Sequence, residues 1–269
     1  MIVTIAIIAA LTAFLAVYAF WENVLAMKMR YEDLGGNIRA VHISDLHKRR
    51  FGKDNSRICR AAEAERPDII IISGDIITRT ETDFTAVRNM LARLCRTAPV
   101  FMIYGNHEQS LPPEKEKEFL EAVGTSGAVL LRNRSVNISL KERNIKLFGL
   151  EESYDTYKKN GGYRRLEKIV PADMERYLGR RPEGEVMLIA HNPLFAEVYA
   201  EWGADTVFSG HVHGGAVRLF GIGMLSPERK FFPRYSKGVY TVGRMKMLVS
   251  AGLGKLRLFD PPEIVVYDL

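Results

Sequence analysis

From Met1 to Trp21 the chain carries no charged side chain, and Thr4, Thr12 and Tyr18 are the only breaks in a run of Ile, Ala, Leu, Val and Phe. Such a run meets the ~20 residues a helix needs to cross ~30 Å of hydrocarbon. A cleavable signal peptide usually opens with Lys or Arg, and no basic residue precedes this run. The pattern predicts a single transmembrane anchor over residues 1–25 and a linker over 26–36 that ends at Gly35-Gly36-Asn37. Trp21 and Tyr31 suit the interface, and Lys28 and Arg30 just past the span favour a cytoplasmic C-terminal domain.

Beyond Asn37, short apolar runs recur at Ile38 to Ser44, Ile69 to Ser73, Val100 to Tyr104, Ile145 to Leu150, Val186 to Ala190 and Thr206 to Ser209. They are rich in β-branched and aromatic residues and read as buried strands. Between them, Asn55 to Glu65, Thr82 to Leu94, Glu114 to Val123 and Leu194 to Glu201 repeat apolar residues at helical spacing. This alternation predicts an α/β architecture. The last third changes to short alternating runs at Gly238 to Val242, Lys246 to Val249 and Ile264 to Tyr267, separated by Gly and Pro, as in antiparallel strands. No repeat or second linker divides residues 37–269, which read as one domain.

A chain of 269 residues with 47% hydrophobic and 26% charged side chains has the balance of a packed globular protein. Its net charge of +6 suits an anionic substrate or a lipid head-group surface and is too small to argue for nucleic acid. Cys59 and Cys95 lie in helix-like stretches without CxxC spacing, which excludes a disulfide framework or thiolate metal site.

Five of the six histidines fall just beyond an apolar run, beside Asp, Asn or Gly: His47, His107, His191, His211 and His213. The carboxyl ends of strands are where α/β sheets build their sites. Asp45 and His47, like His211 and His213, are two residues apart, a spacing that in extended chain points both side chains one way. Asp75 adds a carboxylate able to bridge two cations, and Asn106 a neutral carbonyl oxygen. Imidazole, carboxylate and amide donors without thiolate suit Mn, Fe, Zn or Co. Two such ions ~3.5–4 Å apart would share a hydroxide and clamp a phosphorus centre during in-line displacement. His42 lies inside its strand and reads as a core residue.

Asp45-x-His47, Gly74-Asp75, Gly105-Asn106-His107-Glu108, the lone His191 and Gly210-His211-Val212-His213-Gly214, in that order, resemble the calcineurin-like metallophosphoesterases. With Ser226-Pro227, Gly238-Val239-Tyr240, Ser250 to Gly254 and Pro261 to Ile264, the chain is similar to the membrane-associated bacterial branch that includes UDP-2,3-diacylglucosamine hydrolases and related phosphodiesterases. The resemblance implies a four-layer α/β/β/α sandwich of two mixed sheets. It also implies two divalent metal ions, one held by Asp45, His47, Asp75 and His213 and the other by Asp75, Asn106, His191 and His211. His107 is then the acid for the leaving oxygen, with Glu108 able to orient its ring.

Lys48, Arg49 and Arg50 follow His47 directly and are candidates to receive a second phosphate or an anionic bilayer. Arg132 and Arg134, Lys158 and Lys159, Arg164 and Arg165, and Arg180 and Arg181 read as surface groups. Between Phe220 and Tyr235, apolar residues mixed with Arg229, Lys230 and Arg234 form either packing or a rim that dips into head groups. The expectation is a membrane-anchored dimetal phosphohydrolase cleaving a phosphodiester or pyrophosphate of a small-molecule, nucleotide-linked or lipid-linked substrate. The alternatives are a phosphoprotein phosphatase and a non-catalytic metal-stabilised membrane adaptor.

Overall fold

Ile69–Ile72 is four isoleucines in a row, and all four are buried. A strand covered on both faces needs this composition, because successive side chains point to opposite sides. In the computed structural model, which describes every residue except Asn160, Gly161, Arg164, Glu228 and Leu256, Ile70 and Ile72 face helices while Ile69 and Ile71 face a second sheet. Arg164, one of the expected surface cations, thus lies outside the described residues.

The first sheet contains β1 (Lys28–Asp33), β2 (Arg39–Ile43), β3 (Ile69–Ile72), β4 (Val100–Met102) and β5 (Val129–Leu130). The second contains β6 (Arg134–Leu140), β7 (Arg143–Gly149), β8 (Glu185–Ile189) and β9 (Thr206–Ser209). A small hairpin pairs β10 (Arg218–Leu219) with β11 (Ile222–Gly223). Strands β12 (Gly238–Val242) and β13 (Met245–Val249) complete the second sheet, and β14 (Glu263–Asp268) returns to the first. The orders are β1-β14-β2-β3-β4-β5 and β12-β13-β9-β8-β7-β6. Both sheets are mixed: β2 to β5 run parallel and β14 antiparallel to β2, while β7, β8, β9 and β13 run parallel and β6 and β12 antiparallel.

Helices α2 (Ser56–Ala64), α3 (Thr85–Cys95) and α4 (Pro113–Ser126) cover the outer face of the first sheet through Ile58, Val87, Leu91 and Phe119. Helices α5 (Pro171–Leu178) and α6 (Ala196–Trp202) cover the second through Met174, Tyr199 and Trp202. The layers are therefore α/β/β/α, as the resemblance implies. Between the sheets, Ile71, Phe101, Met187, Phe208 and Tyr267 interlock. His42 sits here, its Nε2 2.8 Å from Ser73 Oγ and its ring edge-on to Phe208, and burial pushes it down to about 3. It is a core residue, neutral and hydrogen-bonded.

At the N-terminus α1 (Ile2–Phe20) continues as a short wide turn, Trp21–Leu25. The 24-residue helical stretch Ile2–Leu25 is long and apolar enough to cross a membrane, and none of its most apolar window is buried against the domain. The segment read as a linker differs from expectation. Residues Lys28–Asp33 pair in parallel with Glu263–Asp268, making β1 the edge strand of the first sheet. The reason is charge placement: Arg30 turns inward to Glu263, which is fully buried, with Nε to Oε1 at 3.1 Å, and also meets Glu32 and the Val249 carbonyl. The buried Arg49 likewise gives its Nη2 to the carbonyls of Glu22, at 3.2 Å, and Ala26, at 2.8 Å.

These contacts set where the chain tolerates shortening. Removing residues 1–20 should leave a well-folded domain. Removing residues 1–36 takes β1, the Arg30 partner of Glu263 and two acceptors of Arg49. Breaking one buried ion pair alone costs about 3–5 kcal/mol, or roughly 10 °C in Tm for a domain of this size. Calorimetry of the two truncations checks this; equal Tm values would show that β1 contributes nothing.

Candidate dimetal centre

Every expected ligand leaves the carboxyl end of a strand. Asp45 and His47 follow β2, Asp75 follows β3, Asn106 follows β4, His191 follows β8, and His211 and His213 follow β9. The two sheets thus meet at a single seam where three groups of donors lie within 4.8 Å of one another: Asp45, His47 and His213; His47, Asp75 and His107; and Asp75, His191 and His211. Asn106 lines the same recess.

The pairs converge by a route other than the extended one expected. Strand β2 ends at Ile43, and Asp45, His47, Asp75, His211 and His213 all have positive φ, between 51° and 67°. Non-glycine residues avoid this region unless neighbours hold them there. Here backbone bonds do so: Asp45 donates its N–H to the Gly74 carbonyl and His47 to the Asp75 carbonyl. Glycines allow the loops to approach: a Cβ on Gly105 would come within 2.3 Å of Asp75 Oδ1, and one on Gly252 within 2.6 Å of Asp45 Cβ.

Each side chain is aimed by a second contact. His191 Nδ1 lies 2.7 Å from the Ser73 carbonyl, which fixes its tautomer and turns Nε2 towards Asp75 Oδ2 at 3.4 Å. Asp45 accepts Ser44 Oγ at 2.5 Å and the His211 N–H at 3.0 Å. Asp75 Oδ1 accepts the His107 N–H at 2.8 Å. Glu108 departs from the role expected of it. Its carboxyl accepts the N–H groups of Asp75, Ile77 and Gly105, at 2.9, 3.2 and 2.8 Å, so it braces two ligand loops instead of orienting His107. Burial, then the neighbouring Asp75 charge, push it up to about 8.

The electrostatics leave a place for cations. Burial should raise both aspartates, yet the surrounding imidazoles hold Asp45 below and Asp75 well below the usual carboxylate range. Burial should lower His191, but Asp75 draws a proton onto it and raises it to about 10. Burial pushes His213 down to about 3, which leaves it a neutral ring with a lone pair to give. His47 Nε2 faces His213 Nε2 at 3.3 Å, two nitrogens that need a shared proton or cation between them. Asn106 Oδ1 and His191 Nε2 are buried without a hydrogen-bond partner among the described residues. Donor spacings of 3.3–3.9 Å suit ligands ~2.0–2.2 Å from a common ion. The donor set therefore fits two divalent cations.

His107 stands at the mouth, its ring 4.5 Å from that of His47, and burial pushes it down to about 4. Its partner is Arg79, whose backbone N–H lies 3.3 Å from Nδ1 and whose Nη2 lies 3.2 Å from Nε2. Sequence reasoning missed Arg79, although its place four residues past Asp75 on the same loop was a signal. It also missed Tyr157, whose ring meets His211 edge-on at 4.9 Å and whose hydroxyl donates to the buried Glu152 at 2.6 Å. Lys158, expected only as a surface group, lines the recess of about 100 Å³ above the ligands, with Tyr163 and Pro227. A larger cavity of about 550 Å³ shares Tyr163 and continues past Asn192, Arg165 and Lys230. The Lys48 to Arg50 triplet is dispersed. Lys48 is exposed, Arg50 lies 3.7 Å from Glu81, and Arg49 turns inward because four backbone carbonyls satisfy it there, so Arg49 receives no substrate.

A model of the calcineurin-like phosphoesterase family matches residues 38–215, more than half of the chain, which therefore belongs to that family. Phosphodiesterase YaeI of Escherichia coli is 27% identical over 93% of this chain and 88% of its own length. UDP-2,3-diacylglucosamine pyrophosphatase LpxG of Chlamydia muridarum is 23% identical, covering 85% of this chain and 82% of its own. Among solved structures, the phosphopantetheinyl hydrolase PptH of Mycobacterium tuberculosis shares the fold, with a TM-score of 0.52 and 16% identity over 83% of this chain and 92% of that one. The chain is a metal-dependent phosphoester hydrolase of a family that uses two divalent cations.

Asp75 belongs to two of the three donor groups, and its Oδ2 faces His47 Nε2 at 3.9 Å and His191 Nε2 at 3.4 Å. Asp75→Asn keeps the shape and removes the charge, so it should lower the metal content of both positions, while His47→Ala should lower one. Elemental analysis of the purified proteins measures this. Two full equivalents retained by Asp75→Asn would show that the carboxylate is not shared.

Proposed function

We propose that the chain is a membrane-anchored phosphohydrolase that cleaves a phosphodiester or pyrophosphate bond in a nucleotide-linked or lipid-linked substrate. The observation that carries this reading is the convergence of Asp75 with imidazoles from both sheets beneath a mouth holding His107 and Arg79. One cation is assigned to Asp45, His47, Asp75 and His213, and the other to Asp75, Asn106, His191 and His211. When bound, the two cations supply Lewis acidity and an activated water for attack at phosphorus.

The protein groups divide the remaining work. Arg79, held against His107, can bind a non-bridging phosphoryl oxygen at the rim through its guanidinium fork. His107 would give a proton to the departing oxygen from Nε2, because its Nδ1 accepts the Arg79 backbone N–H, which leaves the ring hydrogen on Nε2 and helps aim the ring. The adjoining cavity, with Arg165, Lys168 and Lys230 on its walls, is of the size and charge to hold a second phosphate and its attached group. The names of YaeI and LpxG support a diester or pyrophosphate over a monoester. The apolar Ile2–Leu25 helix supports substrate capture at a bilayer.

Two measurements bear on this reading. His107→Ala should keep its metal while kcat falls roughly 10² to 10⁴-fold on a diester with an alkoxide leaving group, and less on one releasing nitrophenolate. Equal losses on both would remove the acid role. Lys28 and Arg30 follow the span, and the excess of cations in cytoplasmic segments supports a cytoplasmic catalytic domain. A reporter fused after Leu269 should be active only if it needs no export; activity restricted to an exported reporter reverses the orientation.

A further inference from the structure

The folded domain carries a second concentration of unusual residues beside the mouth. At the tip of the β10–β11 hairpin Phe220 is 102% exposed, next to Ile222 at 55%, and Phe231 and Phe232 on the following segment are 73% and 60% exposed. Scattered apolar surface residues need no account, but these are strained as well as exposed. Phe220, Phe232 and the nearby Phe259 have φ of 50°, 52° and 63°. An aromatic residue in the left-handed region with its ring in water is disfavoured on both counts. Arg229, Lys230 and Arg234 stand among them, and Arg234 is paired with the exposed carboxylate of Glu197 and lies over the Tyr235 ring.

The position of this rim is set by the foot of α1. Phe259 packs on Tyr18, two residues before the end of α1, with ring centroids 5.3 Å apart. The Phe259 backbone N–H donates to Glu22 Oε2, and Asn23 exchanges hydrogen bonds with the backbone of Arg257. Phe220, Leu219, Phe259 and Lys28 border one cleft. The hairpin is also tied to the chemistry: a Cβ on Gly215, two residues past His213, would come within 2.5 Å of Gly223 Cα. Pro227 borders the recess over the ligands, and Lys230 borders the larger cavity.

We propose that the hairpin tip around Phe220 and the Phe231–Phe232 turn are seated in the interfacial layer of the same bilayer that α1 crosses, forming a second membrane contact that holds the mouth of the site against the lipid surface. This rests on the reading of α1 as a membrane span. A helix whose foot is hydrogen-bonded into the domain leaves the domain little freedom to tilt, so residues bordering that foot lie at the depth of the head groups. Phenylalanines then bury their rings among acyl chains, and the arginines and lysine meet lipid phosphates, the arrangement of interfacial elements generally. The occupant is a phospholipid surface.

The test uses the full chain in vesicles of phosphatidylglycerol and phosphatidylcholine, with and without bromine on the upper acyl chain as a contact quencher. In the unaltered protein, bromolipid should quench Trp21, which reports the span. In a Trp21→Phe background, Phe220→Trp should lose most of its added emission to bromolipid. Val129→Trp, on β5 at the far edge of the first sheet, should lose none; Trp202 contributes equally to both. An unquenched Trp21 removes the span and the docking with it. A quenched Trp21 with an unquenched residue 220 overturns the docking alone. Emission at 220 that ignores bromine but shifts with the protein-to-lipid ratio assigns the rim to a second copy of the chain, which also overturns it.

Discussion

Two carboxylates, Asp45 and Asp75, are buried together at the seam between the sheets. A buried anion costs several kcal/mol unless compensated, and two beside each other cost more. The rest of the site is compensation. Imidazoles from both sheets surround the pair, backbone N–H groups of His107 and His211 point at the carboxylate oxygens, and Ser44 adds a hydroxyl. Asp75 in turn raises His191 to about 10. A divalent cation would compensate the pair with more charge, and its binding would displace protons. Five of the candidate donors also hold left-handed backbone, which tertiary contacts impose.

A second set of buried charges joins the N-terminal helix to that seam. Arg49 lies two residues beyond His47 and reaches the carbonyls of Glu22 and Ala26. Arg257 donates to the carbonyls of His213, Gly254 and Ala251, while its own backbone pairs with Asn23. Buried guanidinium groups are tolerable here because carbonyl oxygens saturate their fixed fork of donors. The outcome is that one layer of arginines touches both the foot of the apolar helix and the loops carrying His47 and His213. The residues just past the helix, Glu22 to Ala26, are therefore a structural part of the domain, tied to the loops that carry His47 and His213.

The strands and the clustering of the candidate donors were legible in the sequence because both follow from local rules. Runs such as Ile69 to Ser73 can only be buried strands, and residues just past such runs collect at one sheet end. What stayed hidden depends on partners distant in the chain. Nothing local marks Lys28–Asp33 as a strand, since its pairing exists only once β14, more than two hundred residues later, lies beside it. Arg49 reads as a surface cation until the carbonyls that bury it are assembled. Glu108 beside His107 suggested contact between neighbours, whereas its carboxyl is used by the backbone of a loop 33 residues away. The left-handed turns at the ligands were likewise invisible, because a non-glycine residue with positive φ is imposed by tertiary contacts against its own preference.

Because the ligands are split between the sheets, the packing of one sheet on the other is part of the chemistry. The first sheet delivers Asp45, His47, Asp75 and Asn106, and the second delivers His191, His211 and His213. Two of the three donor groups draw on both sheets. A relative slide of one ångström between the layers would change every cross-sheet distance by an amount that metal coordination does not tolerate. The contacts that resist such a slide are the buried Ile71 and Phe101 of the first sheet against Met187 and Phe208 of the second and, nearer the site, the hydrogen bond of His191 to the Ser73 carbonyl. Ser73 is thus in contact with both layers one residue before the Gly74-Asp75 turn. Its hydroxyl continues to Ser44, which holds Asp45. A chain of short hydrogen bonds therefore runs from the intersheet core to a ligand carboxylate, and the apolar packing of the fold sets the spacing on which hydrolysis depends.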